Sequence, residues 1–189
     1  MEMNRREILM AGMSMATFMA MAAQTGAAES DASSSYPQPD PKVMTVRLPK
    51  DLQFDPNKTS GAGEFVLWGD PNKEGSPYGV YQKWYPNSMS HPHFHLHDRY
   101  IYVISGTWWV GSGLNYDPNS TYPLHAGSFV HHFPLEIHYD GAKSEPCTML
   151  ICGMGPARGH QPSELSQYRS VSPAELKLIK KYGNQSKEE

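Results

Sequence analysis

The chain has 189 residues, which is enough for one domain with a sizeable core and too few for two domains of ordinary size. Its formal net charge is −3 with 19% charged residues, so electrostatics gives no reason to expect nucleic acid or an anionic membrane as a partner. Sixteen glycines and sixteen prolines, together with 11% aromatic residues, favour many short strands joined by tight turns.

The first 28 residues have the organisation of an export signal. Arg5 and Arg6 precede a Met/Ala-rich apolar run at 10–23, and small residues follow up to Ala28. The paired arginines followed by apolar residues resemble the twin-arginine signal, which exports proteins that are already folded. Cleavage after Ala22 and cleavage near Ala28 both fit the pattern. We therefore expect a bacterial periplasmic or secreted protein with no stable membrane association after cleavage.

Residues 29–42 are rich in Ser, Pro and Asp, and we expect a disordered tether there. From 43 to 160, short apolar runs alternate with turn residues, and helical periodicity is absent. The predicted strands are 43–48, 64–69, 80–85, 93–106, 107–111, 128–133, 137–140 and 147–153, with a further short strand near the end of the loop 113–127. This pattern predicts an all-β antiparallel sandwich or barrel.

The C-terminal extension, residues 161–189, contains the one helical signal. Ser172 has the features of an N-cap, Pro173 occupies the first helical position, and Glu175 completes a capping box. The pattern predicts a helix over 173–182 that covers a sheet edge or the barrel mouth.

Cys147 and Cys152 lie five positions apart in one predicted strand, so their side chains point to opposite faces and cannot easily form a disulfide. We interpret both as buried free thiols.

Four of the nine histidines lie at alternate positions in the stretch HPHFHLH. On an extended strand His91, His93, His95 and His97 would share a face with Arg99, Ile101 and Val103, and the last two residues belong in a core. Two imidazoles at positions i and i+2 of one strand can bind the same divalent ion. A third ligand must then come from elsewhere in the chain. The alternative interpretation is a metal-scavenging tract on the surface.

The histidines lie in two patterns that resemble the cupin motifs. His93 and His95, then Arg99, then Gly106 have the spacing of the first motif, HxH-x3-E-x6-G. Gly127 followed by His138 has the spacing of the second motif, G-x5-P-x-G-x2-H. The resemblance covers about residues 75–155 and implies a double-stranded β-helix, a small antiparallel barrel, with the short C-terminal helix added. It also implies that His93, His95 and His138 bind a divalent metal inside the barrel.

The sequence departs from the cupin pattern at the first-motif glutamate, which is Arg99 here, and at the second motif's Pro and Gly, which are Phe133 and Leu135. Three neutral histidine ligands, as in the thiol dioxygenases and acetylacetone dioxygenase, leave the full charge of the metal for substrate. An inward arginine beside them suits an anionic substrate, and we predict that role for Arg99. The alternative is a structural ion pair of Arg99 with Asp98, Glu136 or Asp140.

Further residues are candidates for the same site. His97 is predicted as a fourth ligand or a catalytic supporting group, because it would share the inward face. Asp98 could replace the missing carboxylate only if a bulge turned it inward. One of His131 and His132 must point inward, and the alternation does not decide which.

These features favour a metal-dependent oxygenase acting on a small anionic or enolisable molecule, with a dioxygenase or an isomerase as the possible enzyme classes. Fe²⁺ is the favoured ion, and Zn²⁺, Mn²⁺, Ni²⁺ and Cu²⁺ also suit the ligands. The alternatives are a non-catalytic cupin that binds or senses a small ligand, and a metal-free structural cupin. The resemblance also implies a homodimer.

Overall fold

A computed structural model describes residues 37–183. The predicted export signal, most of the predicted tether and the last six residues lie outside this range. The chain divides into two compact units, 1–46 and 47–189. In the described part of the first unit, the backbone carbonyl of Asp40 accepts the N–H of Val43 at 2.9 Å and its carboxylate accepts the N–H of Lys42 at 2.9 Å.

Nine strands and one helix lie in the described part of the second unit, residues 47–183. The strands are β1 (Ala62–Gly69), β2 (Pro77–Trp84), β3 (Ser88–Met89), β4 (Arg99–Ser105), β5 (Thr107–Ser112), β6 (Tyr122–His125), β7 (Phe129–His132), β8 (His138–Ala142) and β9 (Cys147–Met154), and the helix is α1 (Pro173–Tyr182). Short 3₁₀ turns lie at Pro49–Asp51, Pro118–Ser120 and Pro162–Gln167.

The strands form two antiparallel sheets with jelly-roll connectivity. The order is β1-β2-β9-β4-β7 in the five-stranded sheet and β3-β8-β5-β6 in the four-stranded sheet. From β2 onward, every connection except the β5–β6 hairpin crosses between the sheets, so that early and late strands become neighbours, which is the double-stranded β-helix arrangement. The predicted all-β fold with a short C-terminal helix is confirmed.

The core lies between the two sheets. Its buried apolar residues are Tyr78, Val80, Trp84, Ile101, Val103, Trp108, Ala142, Cys147, Met149 and Ile151. Alternation in β4 places Ile101 and Val103 inward, 1% and 2% exposed, as expected for a strand with one buried face. Both cysteines are free; Cys147 is fully buried and Cys152 is half-buried.

Two strand predictions are wrong. Residues 43–48 form no strand, and the apolar side chains there are exposed. The predicted long strand at 93–106 starts only at Arg99, because residues 90–98 run outside the regular ladder and make isolated bridges at His93 and Phe94. The alternation of inward and outward side chains in a strand therefore does not apply to residues 90–98.

The predicted helix is confirmed at 173–182. The Ser172 hydroxyl accepts the N–H of Glu175 at 3.2 Å, and the Glu175 carboxylate accepts the N–H of Ser172 at 2.9 Å. Ile179 from this helix packs with Leu165 and Phe94 in a second apolar cluster, so the C-terminal extension covers the histidine-rich segment.

The outer face of the five-stranded sheet exposes a group of large apolar side chains. Tyr100, Tyr102 and Ile104 of β4 are 44%, 49% and 45% exposed, and Phe129 of the edge strand β7 is 52% exposed. Tyr102 packs against Phe129 with ring centroids 4.9 Å apart. Within residues 37–183, no helix is long and apolar enough to span a membrane.

Candidate metal centre

His93 and His95 lie in the irregular segment between β3 and β4, and His138 begins β8. The backbone brings the two parts together, since His93 and His138 exchange two N–H···O bonds of 2.9 Å each. A potential ligand atom of each of the three histidines lies within 4.8 Å of those of the other two. Distances between ring centroids are 4.6 Å for His93 and His138, 5.0 Å for His93 and His95, and 5.3 Å for His95 and His138.

Backbone carbonyls hold the Nδ1 atom of each ring. His93 Nδ1 lies 2.8 Å from the carbonyl oxygen of His91, and His138 Nδ1 lies 3.0 Å from that of Glu136. His95 Nδ1 lies 2.9 Å from the carbonyl oxygen of Ala157 and 3.2 Å from that of Arg158. A carbonyl can only accept, so each Nδ1 carries the proton and each Nε2 presents a lone pair.

The donor set fits a divalent cation. Nε2 of His138 is buried and has no hydrogen-bond partner, which is costly unless another group uses its lone pair. Imidazoles fixed through Nδ1–H to carbonyls are the usual form of histidine ligands. His93, His95 and His138 are therefore the residues that would hold a metal, and metals from Mn²⁺ to Zn²⁺ suit such ligands.

Burial keeps these rings neutral. Desolvation lowers the pKa of His93, and it lowers those of His95 and His138 further below the usual range. The nearby Arg99 guanidinium lowers all three pKa values as well. Protons therefore compete weakly for the ligand atoms at neutral pH.

Arg99 lies at the start of β4 and reaches the histidines. Its Nη1 donates to Nε2 of His95. None of the ion pairs among residues 37–183 joins Arg99 to a carboxylate. The structure therefore gives no support to an ion pair of Arg99 with Asp98, Glu136 or Asp140. Nε2 of His95 cannot serve both Arg99 and a metal, so Arg99 would have to release it for His95 to hold an ion. A small anion is a suitable new partner for the released guanidinium.

His97 and Asp98 point away from the three histidines. Nε2 of His97 lies 3.8 Å from a carboxylate oxygen of Glu74, and His97 does not line the cavity described below. Asp98 pairs with His131 at 2.6 Å, which also shows that His131 is the outward member of the His131–His132 pair. The expectation that His97 shares the inward face depended on a continuous strand from 93, and that strand does not exist.

Asp140 is a site residue whose role sequence reasoning did not find, and His132 is the inward member of the pair that it left undecided. The His132 ring lies 3.9 Å from the His138 ring between centroids, and burial lowers the pKa of His132 to about 4. Asp140 is 7% exposed and its carboxylate accepts the indole N–H of Trp108 at 3.2 Å. Asp140 lies two positions after His138 in β8, so the two side chains are on the same face of the strand. This spacing could have predicted Asp140 as a site residue from the sequence.

His93 and His95 line a cavity of about 670 Å³, and His138 is not among its lining residues. Its polar lining comprises Glu64, Asn72, Gln82, Ser90, His91, His93, His95, Arg99, His132, Asp140, Arg158 and Gln161. Trp84, Trp108, Ile101, Met149 and Ile151 provide apolar walls. A second cavity of about 700 Å³ is lined in part by His132 and His138, and His132 lines both cavities. The volume of the first cavity, about 670 Å³, is in the range of small-molecule binding sites.

No family model matches the sequence, and no curated protein matches it. Among solved structures, the chain is similar to the polyketide cyclase RemF from Streptomyces resistomycificus, with 18% identity, 71% of this chain and 98% of that chain covered, and a TM-score of 0.47. It is also similar to KdgF from Halomonas sp. (14% identity, 59% and 95% covered, TM-score 0.44). A third is a Cupin 2 conserved barrel domain protein from Salinispora arenicola (21% identity, 60% and 91% covered, TM-score 0.43). At these identities and TM-scores no activity is carried over, and the fold assignment rests on the strand order.

Proposed function

We propose that the protein is a metal-dependent enzyme that binds a small anionic or enolisable substrate beside a three-histidine centre. The observation that carries this proposal is the convergence of three neutral imidazoles, each held through Nδ1, two of which, His93 and His95, line a cavity together with Arg99. A divalent ion held there supplies Lewis-acid polarisation of the substrate and, where the ion is iron, the capacity for oxygen chemistry.

The side chains around the centre have distinct roles in this proposal. Arg99 binds the anionic end of the substrate once it has released His95, and its planar guanidinium suits a carboxylate or enolate. Asp140 and its partner Trp108 limit how a substrate can lie in the cavity. The apolar walls exclude water and strengthen the charge interactions with Arg99.

Within this enzyme class we favour an Fe²⁺ oxygenase, because three neutral ligands leave coordination positions and positive charge available. The first test is elemental analysis of the purified protein beside a His138→Ala variant. Near-stoichiometric Fe, Mn, Ni or Cu in the parent that is lost in the variant supports redox chemistry. Zinc lost in the same way favours an isomerase or a binding function. Absence of metal, or metal unaffected by the substitution, refutes the centre.

The role of Arg99 has its own test. We expect Arg99→Gln to weaken the binding of oxalate and acetylacetonate to the Co²⁺-loaded protein, measured by visible spectroscopy, with Arg99→Lys retaining part of the affinity. Equal affinities for the parent and Arg99→Gln would remove Arg99 from substrate binding. Binding without turnover of any carboxylate or 1,3-diketone would favour the sensor or binding alternative.

We also propose periplasmic export, which rests on the signal-like organisation of residues 1–28, and we propose the twin-arginine route from Arg5 and Arg6. Cell fractionation of the parent and of an Arg5→Lys, Arg6→Lys double variant tests it. The parent should be found in the periplasmic fraction and the double variant in the cytoplasm. Equal export of both would exclude the twin-arginine route.

A homodimer is proposed through the exposed apolar face of the five-stranded sheet. Large aromatic side chains bury about 150–250 Å² each, so half-exposed Tyr100, Tyr102, Phe129 and Phe133 together with Ile104 offer roughly 500 Å². That area approaches the roughly 600–800 Å² per partner of a stable interface. The His131–Asp98 pair lies beside this patch, with the His131 ring 4.8 Å from the Tyr100 ring and 4.5 Å from the Phe133 ring between centroids.

A further inference from the structure

The four residues 157–160 follow the last barrel strand, β9, and run beside the histidine-rich segment. His160 and Phe94 exchange two backbone hydrogen bonds, with Phe94 N–H donating to His160 O at 3.1 Å and His160 N–H donating to Phe94 O at 2.8 Å. Phe94 lies between the candidate ligands His93 and His95 in the sequence. The two backbone bonds to His160 are therefore formed by the residue that separates the two ligands.

The same four residues contact both ligand side chains. The carbonyls of Ala157 and Arg158 accept from Nδ1 of His95, and no other hydrogen bond of that nitrogen is found in the described chain. Gly159 lies against the ring of His93, because a β-carbon at Gly159 would be 3.0 Å from Cδ2 of His93. A methyl group there would force the ring to shift by a few tenths of an ångström.

The C-terminal extension fixes the position of these four residues. The His160 ring is 1% exposed, and its Nδ1 lies 3.0 Å from a carboxylate oxygen of Glu164. The same ring stacks on Phe94 with centroids 5.3 Å apart. Leu165 and Ile179 complete the apolar cluster around Phe94, so the 3₁₀ turn at 162–167 and α1 are packed against the ligand segment from outside the barrel.

We propose that residues 157–160 are positioning residues of the metal centre, and that the C-terminal extension orients His93 and His95 through them. This inference rests on the proposed metal-binding function. The barrel alone supplies one ligand, His138, from a regular strand. The other two ligands lie in an irregular segment whose geometry depends on the extension.

The test is Gly159→Ala, with Gly63→Ala as the matched control. Gly63 also has no positive φ, and an added β-carbon there meets only ordinary contacts at 3.4 Å, on β1. We expect Gly159→Ala to weaken Co²⁺ and Zn²⁺ binding by about 10- to 100-fold in chelator competition and to change the visible spectrum of bound Co²⁺. Thermal unfolding of both metal-free variants should resemble that of the parent.

A second pair of variants tests the link to the extension. Glu164→Ala should weaken metal binding, whereas Glu164→Gln, which keeps an acceptor for His160, should restore most of the affinity. Parent-like affinity and Co²⁺ spectra in both Gly159→Ala and Glu164→Ala would overturn the proposal. Failure of the parent to bind metal would instead refute the proposed function on which it rests.

Discussion

Replacing His138 with leucine should separate the stability of the metal-free protein from its capacity to bind metal. His138 is 8% exposed, and its Nε2 is buried without a partner. Leaving such a nitrogen unsatisfied costs about 1–3 kcal/mol, whereas the lost hydrogen bond from Nδ1 to the Glu136 carbonyl contributes about 0.5–1.5 kcal/mol. Because Glu136 is exposed, water can replace that bond. We therefore expect metal-free His138→Leu to be as stable as the parent or about 1 kcal/mol more stable.

Added metal should make the parent more stable than His138→Leu. A metal present at about a hundredfold excess over its Kd stabilises the protein that binds it by about 2.7 kcal/mol. For a chain of this size that corresponds to a rise in Tm of roughly 5–11 °C. His138→Leu lacks one ligand and should show little of this rise.

The assay is thermal unfolding of both proteins, first with EDTA and then with excess Zn²⁺ or Co²⁺. A retained metal-dependent rise in His138→Leu would show that His138 is not a ligand. A loss of more than about 2 kcal/mol in the metal-free variant would refute the argument from the orphaned nitrogen, because it would mean that the native contacts of His138 outweigh its desolvation cost.

Four further changes are predicted. The pKa of His132 falls from 6.5 to about 4 on folding, so its contribution to stability is complete above pH 6.5 and is lost as the pH falls towards 4. In denaturant unfolding with EDTA, His132→Asn should therefore reduce the slope of stability against pH by up to about 1.4 kcal/mol per pH unit, while the other buried histidines keep the rest of the slope. Ser172→Ala removes the helix cap and should cost about 0.5–2 kcal/mol, visible as faster hydrogen exchange in α1. Burial raises the pKa of Cys147 to about 12, so mass spectrometry should find this thiol unalkylated by iodoacetamide at pH 8 until the protein is unfolded; rapid labelling of the native protein would contradict its burial. Tyr102→Lys should lower the dimer fraction in analytical ultracentrifugation, whereas Tyr122→Lys, on the other sheet, should not; a monomeric parent would exclude the dimer.

Sequence patterns predicted those parts of the fold that depend on local chemistry. The capping box at Ser172 and the turn residues between apolar runs act over a few positions, so the helix and most strands could be located. The spacing of His93, His95 and His138 also predicted correctly which imidazoles come together. Residues 43–48 show where this reasoning fails, because alternation alone does not provide a partner strand.

The surroundings of the centre could not be predicted in the same way. Alternation places residues only within a regular strand, and residues 90–98 leave the ladder, so His97 faces Glu74 instead of the cavity. The carbonyls that hold His95 come from 62 and 63 positions further along the chain. Any residue type provides a backbone carbonyl, so no pattern of side chains marks those positions.

The charge balance of the cavity is the strongest guide to what it can accept. The three imidazoles are neutral and Arg99 is positive, so a divalent ion would bring the cluster to a formal charge of about +3 in a site of low dielectric constant. Asp140 is the buried carboxylate among the cavity residues and offsets only one of these charges. Isolated buried charge is costly, so the filled centre favours an anionic occupant that contacts both Arg99 and the ion. A neutral ligand of the same size would leave that charge uncompensated, and for this reason carboxylates and enolates are the first compounds to test.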